Sequence, residues 1–148
     1  MLKVKTKIKP SIIHGKGLFA GEFISKGTVT WEYDPDFDTG YTKRQIDSLP
    51  DSQRSYMMHF CYFDKKIKKF ILCCDNQKFI NHFPVKENVL STPRKDTALR
   101  DIYPGEELLC DYRKFDKDYF GRVGINTTDI KGHLALPCLS RSHKSPSG

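Results

Sequence analysis

Asn81 and His82 set an amide beside an imidazole at the end of the stretch Ile71-Leu72-Cys73-Cys74-Asp75-Asn76-Gln77-Lys78-Phe79-Ile80-Asn81-His82. Together they offer more donors and acceptors than a plain turn requires. Gly15-Lys16-Gly17 is a second candidate, because two glycines permit backbone angles that other residues avoid and let a ligand approach the main chain. It is no dinucleotide fingerprint, since a third glycine and a following helix are missing, and alone it reads as a hairpin loop. Asp34, Asp36 and Asp38 form an acidic loop whose simplest use is an ordinary turn. The five cysteines contain no Cys-x-x-Cys pair. Such a set argues for a reducing compartment and against a zinc site.

The elements that must position these residues are mostly strands. Leu2, Val4, Thr6 and Ile8 alternate with Lys3, Lys5, Lys7 and Lys9, which predicts a half-buried strand over 2–9 ended by Pro10. Thr28–Tyr33 is β-branched and aromatic, a second strand. From Thr42 the pattern turns helical, with Thr42/Gln45 and Ser48/Asp51 spaced as caps. Leu49, Tyr56, Met57 and Phe60 fall on one stripe and are expected in the core. Phe60–Asp64 and Lys69–Cys74 flank Lys65-Lys66-Ile67-Lys68 as a hairpin. Asn88–Ser91 and Thr97–Ile102 read as short strands, and Glu106–Tyr112 as the last one after Pro104-Gly105. Phe115, Tyr119 and Phe120 form an aromatic cluster suited to a short helix or a lid, and Ser140–Gly148 reads as a frayed tail.

Bulk properties narrow the class. A chain of 148 residues suits one domain. Its aromatic share of 12% is not that of a disordered chain. No apolar run is long enough for a membrane span, and no signal-peptide core follows Met1. The expected location is therefore intracellular. A net charge of +7 suggests acidic partners, but alternating lysines on a strand usually mark a solvated face, so nucleic acid is possible and not favoured.

A second stretch, Asp96-Thr97-Ala98-Leu99-Arg100-Asp101-Ile102-Tyr103-Pro104-Gly105-Glu106-Glu107-Leu108-Leu109-Cys110-Asp111-Tyr112, decides between these readings. With Lys78-Phe79-Ile80-Asn81-His82 it resembles the two signature segments of SET-domain protein lysine methyltransferases, in the right order and separation. The Gly15-Lys16-Gly17-Leu18-Phe19-Ala20 segment is similar to the family's N-terminal cofactor loop. The resemblance covers roughly residues 5–113. It implies a mostly β fold (the β-clip SET fold) with a small helical insert, and a C-terminal strand threaded beneath the Asn-His loop as a pseudoknot. The implied organisation is a SET domain over 1–120 with its variable insert at about 34–70, then a flank and flexible tail over 121–148.

The resemblance also implies a chemistry: methyl transfer from S-adenosylmethionine to the side-chain amine of a protein lysine, with a lysine-rich, histone-like segment as substrate. The displacement needs nucleophile, carbon and sulfur in line, which a protein achieves largely by holding the reactants in place. It also needs a neutral lysine, at roughly 4.6 kcal/mol from a reference pKa of about 10.4 at pH 7. An apolar channel and a nearby sulfonium lower that pKa, so no dedicated base is required. By resemblance, Lys16, Gly17, Leu18, Asn81, His82 and Tyr112 meet the cofactor. Tyr112 sets its hydroxyl beside the methyl, Tyr33 ends the early Glu-Tyr strand, and Cys110 takes the channel position commonly held by Tyr or Phe. Strand alternation would put Cys110 on the face of Tyr112, where its small side chain would favour di- or trimethyl products. Asp34, Asp36 and Asp38 would attract a basic peptide. Two departures stand out: Phe83-Pro84 replaces Ser-Cys after Asn-His, and only Cys138 stands where a post-SET zinc segment would follow. No metal is therefore expected, and the Phe115–Phe120 cluster would have to close the site. The alternatives are a non-catalytic SET-like module that binds nucleic acid or chromatin through its basic faces, and an enzyme acting on a small amine.

Overall fold

The computed structural model describes residues 1–129. In chain order its strands are β1 (Thr6–Pro10), β2 (Lys16–Ala20), β3 (Val29–Glu32), β4 (Thr39–Tyr41), β5 (Tyr62–Asp64), β6 (Lys69–Leu72), β7 (Asn81–His82), β8 (Val89–Ser91), β9 (Lys95–Ala98) and β10 (Leu109–Cys110). Three short helices join them: α1 (Lys43–Asp47), α2 (Asp51–Phe60) and α3 (Tyr119–Arg122). The strands form small separate sheets: β1-β2, β3-β9-β8 and β4-β6-β5, all antiparallel, and a parallel β7-β10 pair.

The hairpin β1-β2 keeps the alternation read in the sequence, with Lys3, Lys5, Lys7 and Lys9 exposed and Leu2, Val4 and Ile8 packed on the main core. Its ladder runs through Pro10 rather than stopping there, which an edge strand tolerates because its outer amide needs no partner. The main core gathers Leu18, Ala20, Ile24, Ile80, Val89, Ala98, Ile102, Leu108 and Cys110 from several of these sheets.

Residues 39–72 form a semi-independent insert around a second core of Ile46, Cys61 and Phe70. The Thr42–Gln45 capping box at α1 is present in both directions, at 3.2 and 2.8 Å. The Ser48–Asp51 cap is not. Ser48 Oγ donates back to the Gln45 carbonyl at 2.8 Å, and Pro50 begins α2 without a side-chain cap. No residue of α2 is fully buried. Of the expected stripe, Met57 packs on the second core while Tyr56 is 49% exposed.

The expected last strand, Glu106–Tyr112, is divided among three partners. Glu106 and Leu108 bond to Ala20 and Leu18 of β2, at 2.8 and 2.7 Å. Leu109 and Cys110 then pair with Asn81 and His82. From Tyr112 the chain turns into a 3-10 segment capped by Asp111. Buried Asn88 grips the passing strand with its amide, donating to the Glu107 carbonyl and accepting from Leu109 N, at 2.8 and 2.9 Å. These bonds set residues 107–110 against Asn81, His82 and Asn88, the neighbours that the expected pseudoknot calls for.

Beyond Tyr112 the chain folds back over the insert. Arg122 pairs with buried Asp116 at 2.6 Å, and Asp116 also accepts the Phe63 amide of β5 at 3.0 Å. Tyr119 and Phe120 are buried and begin the short helix α3, while Phe115 ends the 3-10 segment before it. The frayed tail expected at Ser140–Gly148, and Cys138, lie outside the described residues.

Candidate active site

Asn81 and the glycine loop build one wall of a cavity of about 540 Å³. Asn81 Nδ2 donates to the main-chain oxygens of His14 and Lys16, at 3.0 and 3.1 Å, and to Glu107 Oε1 at 2.9 Å. Glu107 in turn accepts Ser11 Oγ at 2.9 Å. Two glycines make this approach possible. Gly15 sits at φ +46°, a left-handed angle that side chains disfavour. A Cβ on Gly17 would land inside the Glu107 carboxylate. The amide thus locks the loop Gly15-Lys16 along one side of the cavity, with Phe79, His82 and Phe120 on others. His59 and His14 also line it, with ring centroids 5.9 Å apart. Burial, and then the neighbouring His14, hold the His59 imidazole below its ordinary pKa.

His82 is placed by the parallel register with Cys110. Its Nδ1 accepts the Tyr112 amide at 3.0 Å, and its ring meets Phe120 edge-on at 4.8 Å. The Tyr112 hydroxyl donates to the Ile80 carbonyl. Its ring is enclosed by Tyr119 at 5.0 Å, Phe115 at 5.7 Å and Phe120 at 5.9 Å. Burial pushes the Tyr112 phenol well above its ordinary pKa, so it stays protonated.

On the other side of Tyr112 lies a narrow cavity of about 60 Å³, walled by aromatic rings that include Trp31, Phe60, Tyr62, Phe115 and Tyr119. His59, Phe60, Lys78, Tyr112 and Tyr119 line both cavities. The two spaces therefore share a wall to which the Tyr112 and Tyr119 rings belong. Buried Asp96 also lines the narrow cavity and accepts Gln77 Nε2. Burial raises its carboxyl to about 7 despite that bond.

The sequence-derived site residues divide. Lys16, Asn81, His82 and Tyr112 line the larger cavity. Gly17 and Leu18 stand behind its wall, Leu18 wholly buried in the main core. Tyr33 lines neither cavity and lies under the Arg94 guanidinium, 4.5 Å from its ring centroid. Cys110 lines neither cavity either. It is wholly buried in the main core, and Tyr112 has already left the strand, so the alternation argument does not apply. Asp38 departs from the acidic-loop expectation: it is buried, accepting Asp34 N and Cys74 N at 2.9 and 3.0 Å. Sequence reasoning missed His59, Phe60, Asn88, Asp96 and Glu107. Phe60 had the right residue type but was assigned to the core; Asp96 and Glu107 lie inside the signature stretch without being singled out, and His59 and Asn88 carry no local signal of their own.

The SET domain family model matches residues 15–113, from the glycine loop to just past Tyr112, and the chain belongs to the SET-domain family. Among solved structures, a humanized mutant of the Chaetomium thermophilum Polycomb Repressive Complex 2 aligns with TM-score 0.52 and 23% identity over 76% of this chain. An active Polycomb Repressive Complex 2 in the basal state aligns at TM-score 0.55 and 21% identity over 74%. This chain spans about 15% of the length of either complex's matched chain. A Plasmodium falciparum protein described as a histone methyltransferase aligns at TM-score 0.54 and 17% identity over 75% of this chain and 95% of its own. At these identities the likeness is one of fold. A search of curated protein sequences finds no match. Among the described residues no helix is long and apolar enough to cross a membrane, and no group of three or more metal-binding side chains is assembled.

Proposed function

We propose that this SET domain transfers methyl groups from S-adenosylmethionine to the side-chain amine of lysine in a protein. The observation that carries the reading is that Tyr112 lines both a ligand-sized cavity and a narrow aromatic one. About 540 Å³ lies within the usual range for small-molecule sites. Its lining suits an amphipathic nucleoside cofactor, with exposed loop backbone at Gly15-Lys16, polar Asn81 and His82, and stacking faces at Phe79 and Phe120. When bound there, S-adenosylmethionine supplies an electrophilic methyl group on a positively charged sulfur.

The chain's own residues do the rest by position. The narrow cavity strips water from a lysine side chain, which favours its neutral amine. The Tyr112 hydroxyl donates its hydrogen bond to the Ile80 carbonyl, which leaves oxygen lone pairs to orient the amine and the methyl. Tyr119, tied by its hydroxyl to the His59 carbonyl at 2.8 Å, fixes the second ring at the junction. Holding reactants in line in this way supplies much of the acceleration such a displacement needs.

Calorimetry with S-adenosylmethionine, followed by incubation of the labelled cofactor with protein and cell lysate, tests the proposal. Binding, together with label on lysine side chains, is expected. No heat of binding and no labelled protein would remove it.

A further inference from the structure

The narrow cavity has a second neighbour. Thr92 and Phe115 line both it and an open groove of about 490 Å³. The narrow cavity thus shares Tyr112 with the larger cavity and Thr92 and Phe115 with this groove. A substrate backbone in the groove would have Thr92 and Phe115 between it and the narrow cavity.

Its walls are basic. Lys65 and Lys66 come from the β5-β6 turn, Arg94 from the β8-β9 turn, and Lys114 and Lys117 from the segment after Tyr112. The one carboxylate in the wall, Asp64, is paired with Arg94 at 2.8 Å. Lys65 pairs with Asp118 at 3.5 Å and Lys114 with Glu87, which still leaves cations in excess. Lys66 and Lys117 are left without an ion pair among the described residues. Pro93 and Phe115 give the groove an apolar floor, and the Tyr62 hydroxyl holds the Pro93 carbonyl at 2.8 Å. Three chain segments far apart in sequence thus bring their cations to one place.

We propose that this groove recognises an acidic peptide segment, whose lysine enters the narrow cavity past Thr92 and Phe115. The lysine in this inference rests on the methyltransferase reading above; the acidic flanks rest on the groove alone. The proposal departs from the lysine-rich substrate that the family resemblance implies. Each exposed ion pair would be weak and screened by salt, so selectivity comes from several acting together. Nucleic acid would meet the same charges but has no side chain to fill the aromatic cavity.

The test uses the full chain and three dye-labelled peptides, each with one lysine, flanked by acidic, neutral or basic residues. Fluorescence anisotropy reads binding with S-adenosylmethionine present, at low and high salt, and mass spectrometry reads methyl transfer. The acidic peptide is expected to bind about tenfold tighter than the neutral one, the size a few exposed pairs allow. The basic peptide should bind weakest, and salt should close the gap. Lys66→Glu with Lys117→Glu should invert the order while leaving S-adenosylmethionine affinity unchanged. Equal binding of all three peptides, tightest binding of the basic one, or no inversion in the double variant overturns the proposal. So does a short single-stranded nucleic acid that displaces the acidic peptide and loses its own binding in the same variant. Acidic-selective binding with no transfer to any peptide would end the methyltransferase reading and leave the groove standing. Transfer without acidic preference would do the reverse.

Discussion

Asn81 illustrates how one side chain couples loop, core and site. Its amide nitrogen holds two carbonyls of the glycine loop and the Glu107 carboxylate, all part-buried, so removing it loosens the cavity wall and takes a donor from three acceptors. Asn81→Ala is expected to weaken S-adenosylmethionine binding by about 1.5–3 kcal/mol, measured by calorimetry; an unchanged affinity would detach Asn81 from the site. Cys110 carries the opposite lesson. It occupies a motif position expected to shape the channel, yet it is wholly buried in the main core. Cys110→Tyr should therefore overpack that core and cost about 1–3 kcal/mol in chemical denaturation. A variant of wild-type stability with an altered methylation state would return Cys110 to the channel. Asn81, His82 and Tyr112, which line the larger cavity, could be picked out of the sequence because each sits inside a contiguous motif. The burial of Asp38 was not, since nothing in an acidic loop's sequence distinguishes the carboxylate that turns inward.

At the scale of elements, the segment that follows Tyr112 lines both cavities, with Phe115 and Tyr119 at the narrow one and Tyr119 and Phe120 at the larger. It reaches the insert where Asp116 accepts the Phe63 amide, and Arg122 holds that same carboxylate in a pair whose side chains are only 14% and 2% exposed. Removing one member of such a pair strands the other's charge. Arg122→Met should cost about 3 kcal/mol of stability and weaken S-adenosylmethionine binding, because Tyr119 and Phe120 lose their anchor. A melting curve and affinity identical to wild type would show that this segment does not close the site. The hairpin, the capped helix and the lysine-alternating strand could be read from periodicity and capping chemistry. The division of the last strand could not. Its hydrogen bonds go to β2, to Asn88 and to β7 in turn, and such changes of partner leave no period in a sequence.

At the largest scale, regular structure is sparse among the described residues, and buried polar contacts help to tie the small sheets and the segments between them together. Asp96 is one of these contacts. Its carboxyl is raised to about 7 by burial, against about 3.9 in an unfolded chain, so between those values the folded state holds a proton that the unfolded state has released. Stability from this group is therefore complete below the unfolded value and lost as pH rises toward 7. Asp96→Asn should gain on the wild type as pH rises across that window, in denaturant titrations at pH 5 and pH 8; a constant difference would contradict the assignment. Charge was legible at this scale only as a total. The excess of +7 was visible in composition, whereas the gathering of Lys65, Lys66, Arg94, Lys114 and Lys117 at one groove depends on tertiary folding.

The account stands or falls on Tyr112 as the meeting point of cofactor and lysine. Wild type and Tyr112→Phe should be compared with saturating S-adenosylmethionine on a lysine-containing protein substrate, reading methyl-lysine by mass spectrometry and cofactor affinity by calorimetry. The expected result is methyl-lysine from the wild type, and a rate lower on the order of 10²-fold in the variant, the size of losing one positioned polar group at a transition state. Cofactor affinity should be unchanged. A variant as fast as the wild type, or a wild type that binds the cofactor and methylates no lysine, would contradict the account.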